Sequence, residues 1–198
     1  AFKRWFGDSK VVNADGSPKV GYHTTRGDFD TFKSNVLGLT FVTFDKKWAN
    51  KFGFTTEDDI AELVDPGLND ADQNEVFRDY ILGEKQHGRN IMPMFVKAEN
   101  PFDYTNLQAV QRLAQAVPGV DARRVASGDW GELEKKSVID YLKANGYDGM
   151  YVSERGARNL AVFDPSQLKS AVGNRGTFDP KSSNILFSKQ QGLDLGAP

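Results

Sequence analysis

A histidine followed by small hydroxyl residues, in the run Gly21-Tyr22-His23-Thr24-Thr25, is the segment of this sequence best suited to chemistry. Neutral imidazole both donates and accepts a hydrogen bond, and the N–H and C=O of a strand end match a primary amide. The run is therefore a grip for a ribose hydroxyl and an amide. A second strand-like segment opens at Gly38-Leu39-Thr40-Phe41, and a third lies far downstream at Leu160-Ala161-Val162-Phe163-Asp164-Pro165-Ser166-Gln167. Together they outline a cleft for a dinucleotide in a chain with no Rossmann or phosphate-loop motif.

The elements that must position these residues are legible in part. Val11 to Val20 reads as two short strands around an Asn-Ala-Asp-Gly turn, the second running on into His23. Leu39 to Phe44 is a strand by its β-branched and aromatic content. Asp45 then caps a helix on which Trp48 and Phe52 share one face, and Gly53 ends it. Trp48 is expected in the core. Residues 56–90 are polar and form an insertion or flap. Ile91 to Ala98 is a strand whose Pro93 argues for an edge. Leu107 to Ala116 and Trp130 to Asn145 have helical apolar spacing, and Gly146 stops the second. Met150-Tyr151-Val152 and Leu160 to Phe163 read as hairpin partners, and Gln167 to Ala171 as a short helix. Strands gather at both ends of the chain with helices between. That pattern predicts an α+β fold with a mixed or antiparallel sheet.

The 198 residues suffice for one core, and apolar (39%) and charged (26%) fractions are those of a globular domain. With a net charge of −2 and mixed signs along the chain, bulk electrostatics favour neither nucleic acid nor membrane. No apolar run approaches the ~18 residues of a membrane span. The absence of cysteine removes disulfides, thiolate nucleophiles and cysteine-ligated metals, and fits a reducing compartment. The start, Ala1-Phe2-Lys3-Arg4-Trp5-Phe6, has no signal-peptide pattern and reads as part of a longer protein. His23 and His87 have no metal-ligand spacing. Asp70-Ala71-Asp72-Gln73-Asn74-Glu75 begins like a calcium loop but lacks the glycine at the sixth place, and Ile81 stands where the bidentate glutamate belongs.

Four segments carry a family resemblance: the His23 run, Gly38 to Thr43, Gly146-Tyr147-Asp148-Gly149-Met150-Tyr151-Val152, and Val162 to Ala171 with its Asp-Pro-Ser-Gln. In this order, closed by Gly176-Thr177-Phe178-Asp179-Pro180 and Asn184-Ile185-Leu186-Phe187-Ser188, the chain resembles the ADP-ribosyltransferase-like domain of phage and plasmid polyvalent proteins. The resemblance covers roughly residues 1 to 188, with a flexible tail over 189–198 and the weakest match over 56–90.

The resemblance implies a split β-sheet NAD-binding fold, two small sheets facing one another across a cleft, with NAD as substrate. His23 would bind the nicotinamide ribose and the backbone of Thr24 the carboxamide. Thr25, Arg26, Thr40, Phe41 and Phe52 would complete the NAD contacts. Thr40 stands where related enzymes place a tyrosine, and Asn159 where they often place the catalytic glutamate. An amide carries no charge to stabilise an oxocarbenium-like ribose, so either Glu154 in the same hairpin or Asn159 fills the catalytic slot. Asp164 reads as turn chemistry. Arg155 and Arg158 flank the slot and would touch a pyrophosphate or steer a target. The implied activity is transfer of ADP-ribose to a macromolecule, protein before nucleic acid, with nicotinamide release in a bacterial or phage-infected cytoplasm. The alternatives are a binding module without transferase activity and an NAD glycohydrolase.

Overall fold

A computed structural model describes residues 1–25, 30–32, 35, 37–51, 90–154, 156–174 and 178–186, the side chains of 50 and 51 excepted. Arg26, Phe52, Gly53, His87, Arg155, nearly all of the 56–90 segment and the 189–198 tail lie outside the described residues.

Among the described residues, seven strands form one mixed sheet in the order β4-β5-β6-β2-β1-β3-β7. They are β1 (Val20–Thr25), β2 (Thr40–Thr43), β3 (Asn90–Val96), β4 (Pro101–Phe102), β5 (Gly149–Glu154), β6 (Ala157–Val162) and β7 (Leu168–Ser170). Helices α1 (Phe2–Phe6) and α2 (Lys46–Lys51) belong to the first half of the chain, and α3 (Leu107–Ala116), α4 (Ala122–Ala126), α5 (Trp130–Leu133) and α6 (Lys136–Ala144) precede β5. The α+β expectation holds.

The pairing divides the sheet in two. β1 pairs with β3 along its whole length, from Val20↔Phe95 to Thr25↔Asn90, and β2 pairs with β6 from Thr40↔Val162 to Thr43↔Asn159. β1 and β2 themselves share one paired position, Tyr22↔Thr43. The result is a β7-β3-β1 half and a β2-β6-β5-β4 half, hinged at that pair. Gly21 eases the close approach there, since a Cβ on it would sit a tight 3.2 Å from the Val42 side chain.

Alternation along β2 and β6 sorts two cores. Leu39 and Ala161 pack with Met150, Val152, Leu113 and Leu142 under the helices α3 to α6. Val42, Leu160 and Val162 pack on the opposite face with Met94, Val96 and Leu168 of the other half. The second core thus runs across the hinge and the first does not. The outer half is also faced by an aromatic group in which Phe2 of α1 lies 4.9 Å from Phe95 and Trp5 lies 5.6 Å from Phe178.

Several sequence expectations change in detail. Val11 to Val20 does not form two strands: Asp15 folds the turn by accepting from Ser17, and one bridge, Val12↔Pro18, remains of the hairpin. Pro93 is not on an edge strand. It is tolerated because the β7 ladder ends at Met94↔Ser170, so its missing N–H falls just past the last pair, where its carbonyl accepts from Ala171. Trp130 to Asn145 breaks into α5 and α6 at Glu134 and Lys135, and in place of a helix over Gln167 to Ala171 the chain forms strand β7 at Leu168–Ser170, entered through a 3-10 turn over Pro165–Gln167. Asp164 and Gln167 cap each other in that turn, and the Gln167 amide donates to the Lys97 and Asp148 carbonyls. The pair is structural. Asp45 caps α2 as expected, accepting from Lys47 and Trp48.

Candidate functional site

Where β1 leaves β2, a pocket of about 600 Å³ opens. Its size is that of a small-molecule site. Five consecutive residues of the second strand segment, Leu39 to Thr43, line it, so it runs along the edge of β2 that β1 does not cover. Tyr22, His23 and Thr24 form the facing wall.

His23 lines the pocket. The Phe41 carbonyl lies two residues along β2 from the paired position Tyr22↔Thr43. The His23 Nδ1–H donates to it across 2.8 Å. With that proton placed, the second ring nitrogen of the neutral imidazole is an acceptor. The Phe32 ring holds the imidazole edge-on at 4.8 Å. Burial lowers the His23 pKa, with the Phe41 bond opposing, so the neutral ring is favoured.

Thr24 spends its hydroxyl on the Ala49 carbonyl at 2.9 Å, which ties α2 to β1 and leaves the backbone as its means of touching a ligand. Thr25 pairs with Asn90 and is not among the lining residues. Thr40 and Phe41 are. The Phe41 ring stacks on Trp130 at 4.4 Å and 20°. Trp48, expected in the core, lines the pocket instead and is half-buried.

The third wall comes from the hairpin. Thr43, Asn159 and Val152 are cross-strand neighbours on β2, β6 and β5, and Glu154 lies diagonal to Asn159 on the same face. The Asn159 Nδ2 donates to Glu154 Oε2 at 3.1 Å. Both residues line the pocket. Glu154 and Asn159 are thus one unit, a carboxylate held by an amide, rather than competitors for one place. Arg158 points elsewhere: it pairs with Asp103 at 2.9 Å and lies over the Tyr151 ring at 4.0 Å.

Three buried polar atoms have no partner among the described residues: Thr40 Oγ1, Trp48 Nε1 and Asn159 Oδ1. All three residues line this pocket. Thr40 and Asn159 are only 5% and 4% exposed. Each unsatisfied buried group costs about 1–3 kcal/mol.

Sequence reading missed the helical wall. The loop before α5 is latched to β5: Asp129 bridges Ser153, and the Ser153 N–H donates to the Gly128 carbonyl at 2.8 Å. Only glycine fits at 128, where φ is +74° and a Cβ would fall 2.8 Å from both Ser153 and Tyr104. The latch delivers Trp130 and Glu134 to the pocket. Burial raises the Glu134 pKa and the charge of Glu154 adds to it, while a hydrogen bond from the Trp130 side chain opposes. Its neighbour Glu132 has a different task, accepting from Asp121 N–H and Lys135 and pairing with Arg124 to lock α4, α5 and α6 together. Nothing local distinguishes Glu134 from Glu132 in sequence; only the orientation of α5 does.

Among the described residues no acidic, histidine or cysteine cluster could hold a metal ion, and no helix is long and apolar enough to cross a membrane. No curated protein and no solved structure matches the chain. Residues 13–178 match one family, described as the ADP-ribosyltransferase in polyvalent proteins.

Proposed function

The chain belongs to this ADP-ribosyltransferase family, and we propose that it binds NAD at the split between its half-sheets and transfers the ADP-ribose to a macromolecular acceptor, releasing nicotinamide. The observation that carries this reading is the set of three unpartnered polar atoms, on Thr40, Trp48 and Asn159, around one pocket. A ligand rich in hydroxyls and amides supplies the donors and acceptors they lack.

The nicotinamide ribose lies between the halves. The acceptor nitrogen of His23 takes a ribose hydroxyl, the Thr24 backbone takes the carboxamide, and Phe41 with its stacked Trp130 gives the ring an apolar wall. Arg26 and Phe52, which lie outside the described residues, keep only the NAD-binding roles that the family resemblance implies. Glu154 stabilises positive charge at C1′ as the glycosidic bond lengthens. Asn159 orients that carboxylate through Nδ2 and presents Oδ1 to a second hydroxyl. This division of labour explains an amide at a position where related enzymes carry the acid. The acceptor is protein, since the chain is mildly acidic.

A second reading, a domain that binds NAD without cleaving it, is favoured by the same amide at Asn159. Nicotinamide release from NAD separates the two. Wild-type protein releases nicotinamide, and Glu154→Gln loses about 10²–10³ in rate while still binding NAD. Binding without release in the wild type selects the second reading, and unchanged release in Glu154→Gln removes Glu154 from the mechanism.

A further inference from the structure

The pocket receives two carboxylates from two different layers. Glu154 ends β5 in the sheet and Glu134 follows α5 in the helical layer. Their surroundings differ. Glu154 accepts a hydrogen bond from the Asn159 amide. Glu134 is half-buried beside the Trp130–Phe41 stack, with one hydrogen bond, from Trp130, and the charge of Glu154 nearby. Two carboxylates in one cleft with unlike environments divide the work of a reaction.

The reaction proposed above needs two such functions. One group must stay negative while C1′ becomes positive. The other must take a proton from the incoming nucleophile. The departing nicotinamide needs no proton, because the bonding electrons neutralise its pyridinium nitrogen. We propose that Glu134 is the general base that deprotonates the acceptor, with Glu154 as the standing charge; this rests on the reading of the pocket as an NAD site. In the step, the C1′–N bond breaks and its electron pair goes to nicotinamide. The nucleophile forms the new bond at C1′, and its proton passes to the Glu134 carboxylate and on to solvent. Burial and the Glu154 charge both raise the proton affinity of Glu134, as a base requires. Glu132, two residues away, is unsuited: its oxygens are committed to Asp121, Lys135 and Arg124.

A nucleophile that is already an anion has no proton to give. Azide attacking C1′ yields the glycosyl azide and neutral nicotinamide, with no base required. The test follows nicotinamide release from NAD by wild type and Glu134→Gln, with water as the nucleophile and then with sodium azide. NAD affinity, measured in parallel, reports an intact pocket. With water, Glu134→Gln is expected to lose about 10²–10⁴-fold. With azide, its rate is expected to return toward that of wild type. A variant that binds NAD and stays slow in azide, or one as fast as wild type in water, overturns the assignment. Should Glu134→Gln not fold, Glu134→Asp makes the same comparison with a shortened carboxylate, slow in water and rescued by azide. Wild type that binds NAD but releases nicotinamide with neither nucleophile also overturns it. Failure of wild type to bind NAD at all overturns instead the NAD reading beneath it.

Discussion

The two halves of the sheet are covered by different kinds of structure. The β2-β6-β5-β4 half is backed by four helices and a core whose Leu113, Leu133, Leu142, Met150 and Val152 are all fully buried. The β7-β3-β1 half is held from outside by short segments. Lys169 on β7, itself 0% exposed, donates to the Ser182 and Asn184 carbonyls, and Ile185 donates to Asp30 beside the pocket residues Thr31 and Phe32. The groups proposed for bond breaking, Glu154, Asn159 and Glu134, sit with the helix-backed half. The groups proposed for binding, His23 and Thr24, sit with the strapped half. A transition state is stabilised by groups that need no reorganisation, and that demand falls on the helix-backed side.

The largest expected effects therefore lie on the helix-backed half. Asn159→Ala leaves Glu154 without its amide donor, and a hydrogen bond to a charged group is worth about 1.5–3 kcal/mol. Release of nicotinamide should fall about ten- to a hundredfold, read by steady-state kinetics, with a smaller change in NAD affinity. Equal losses in both would merge the roles of the two halves.

Gly128→Val tests the latch. A β-branched side chain at φ +74° must displace Ser153 or Tyr104. The strained backbone costs about 1–3 kcal/mol. Thermal unfolding should shift downward, and the Trp130–Phe41 stack should loosen, seen as a change in tryptophan emission. An unchanged emission spectrum would mean that α5 reaches the pocket without the latch.

On the strapped half the expected effect is on binding. His23→Ala removes the ribose contact and the partner of the Phe41 carbonyl. NAD affinity should weaken by about tenfold, the scale of one ordinary hydrogen bond, with turnover of bound NAD less affected. A loss confined to turnover would place His23 with the chemistry.

The smallest effect is electrostatic. Burial holds the folded-state pKa of His23 below its unfolded value of 6.5. The unfolded chain then binds the proton more readily, so the His23 contribution to stability is complete above pH 6.5 and is lost as pH falls through the folded value. Denaturant titrations of wild type and His23→Asn should differ in slope below pH 6.5 and run parallel above it. Parallel lines throughout would mean that the imidazole is solvated.

The same division explains what the sequence made legible. His23, Thr40 and Asn159 lie in short segments of regular alternation, and the order of those segments carried the family and the α+β fold. Strand pairing at a distance was not legible. Pro93 looked like an edge because local chemistry does not say where β7 stops. Trp48 looked like core because an aromatic at helical spacing is the same in either place. Glu134 was invisible because its position depends on Gly128 meeting Ser153, residues 25 apart in sequence. Glu154 and Asn159 looked like rivals because hairpin register, not spacing, joins them.

The most direct measurement is a crystal structure of the protein with NAD. The predicted result is a nicotinamide ribose spanning the split, one hydroxyl on His23 and C1′ facing Glu154, with Thr40 Oγ1, Trp48 Nε1 and Asn159 Oδ1 each given a partner. A dinucleotide seated elsewhere, with those three atoms still unmatched, would contradict the account.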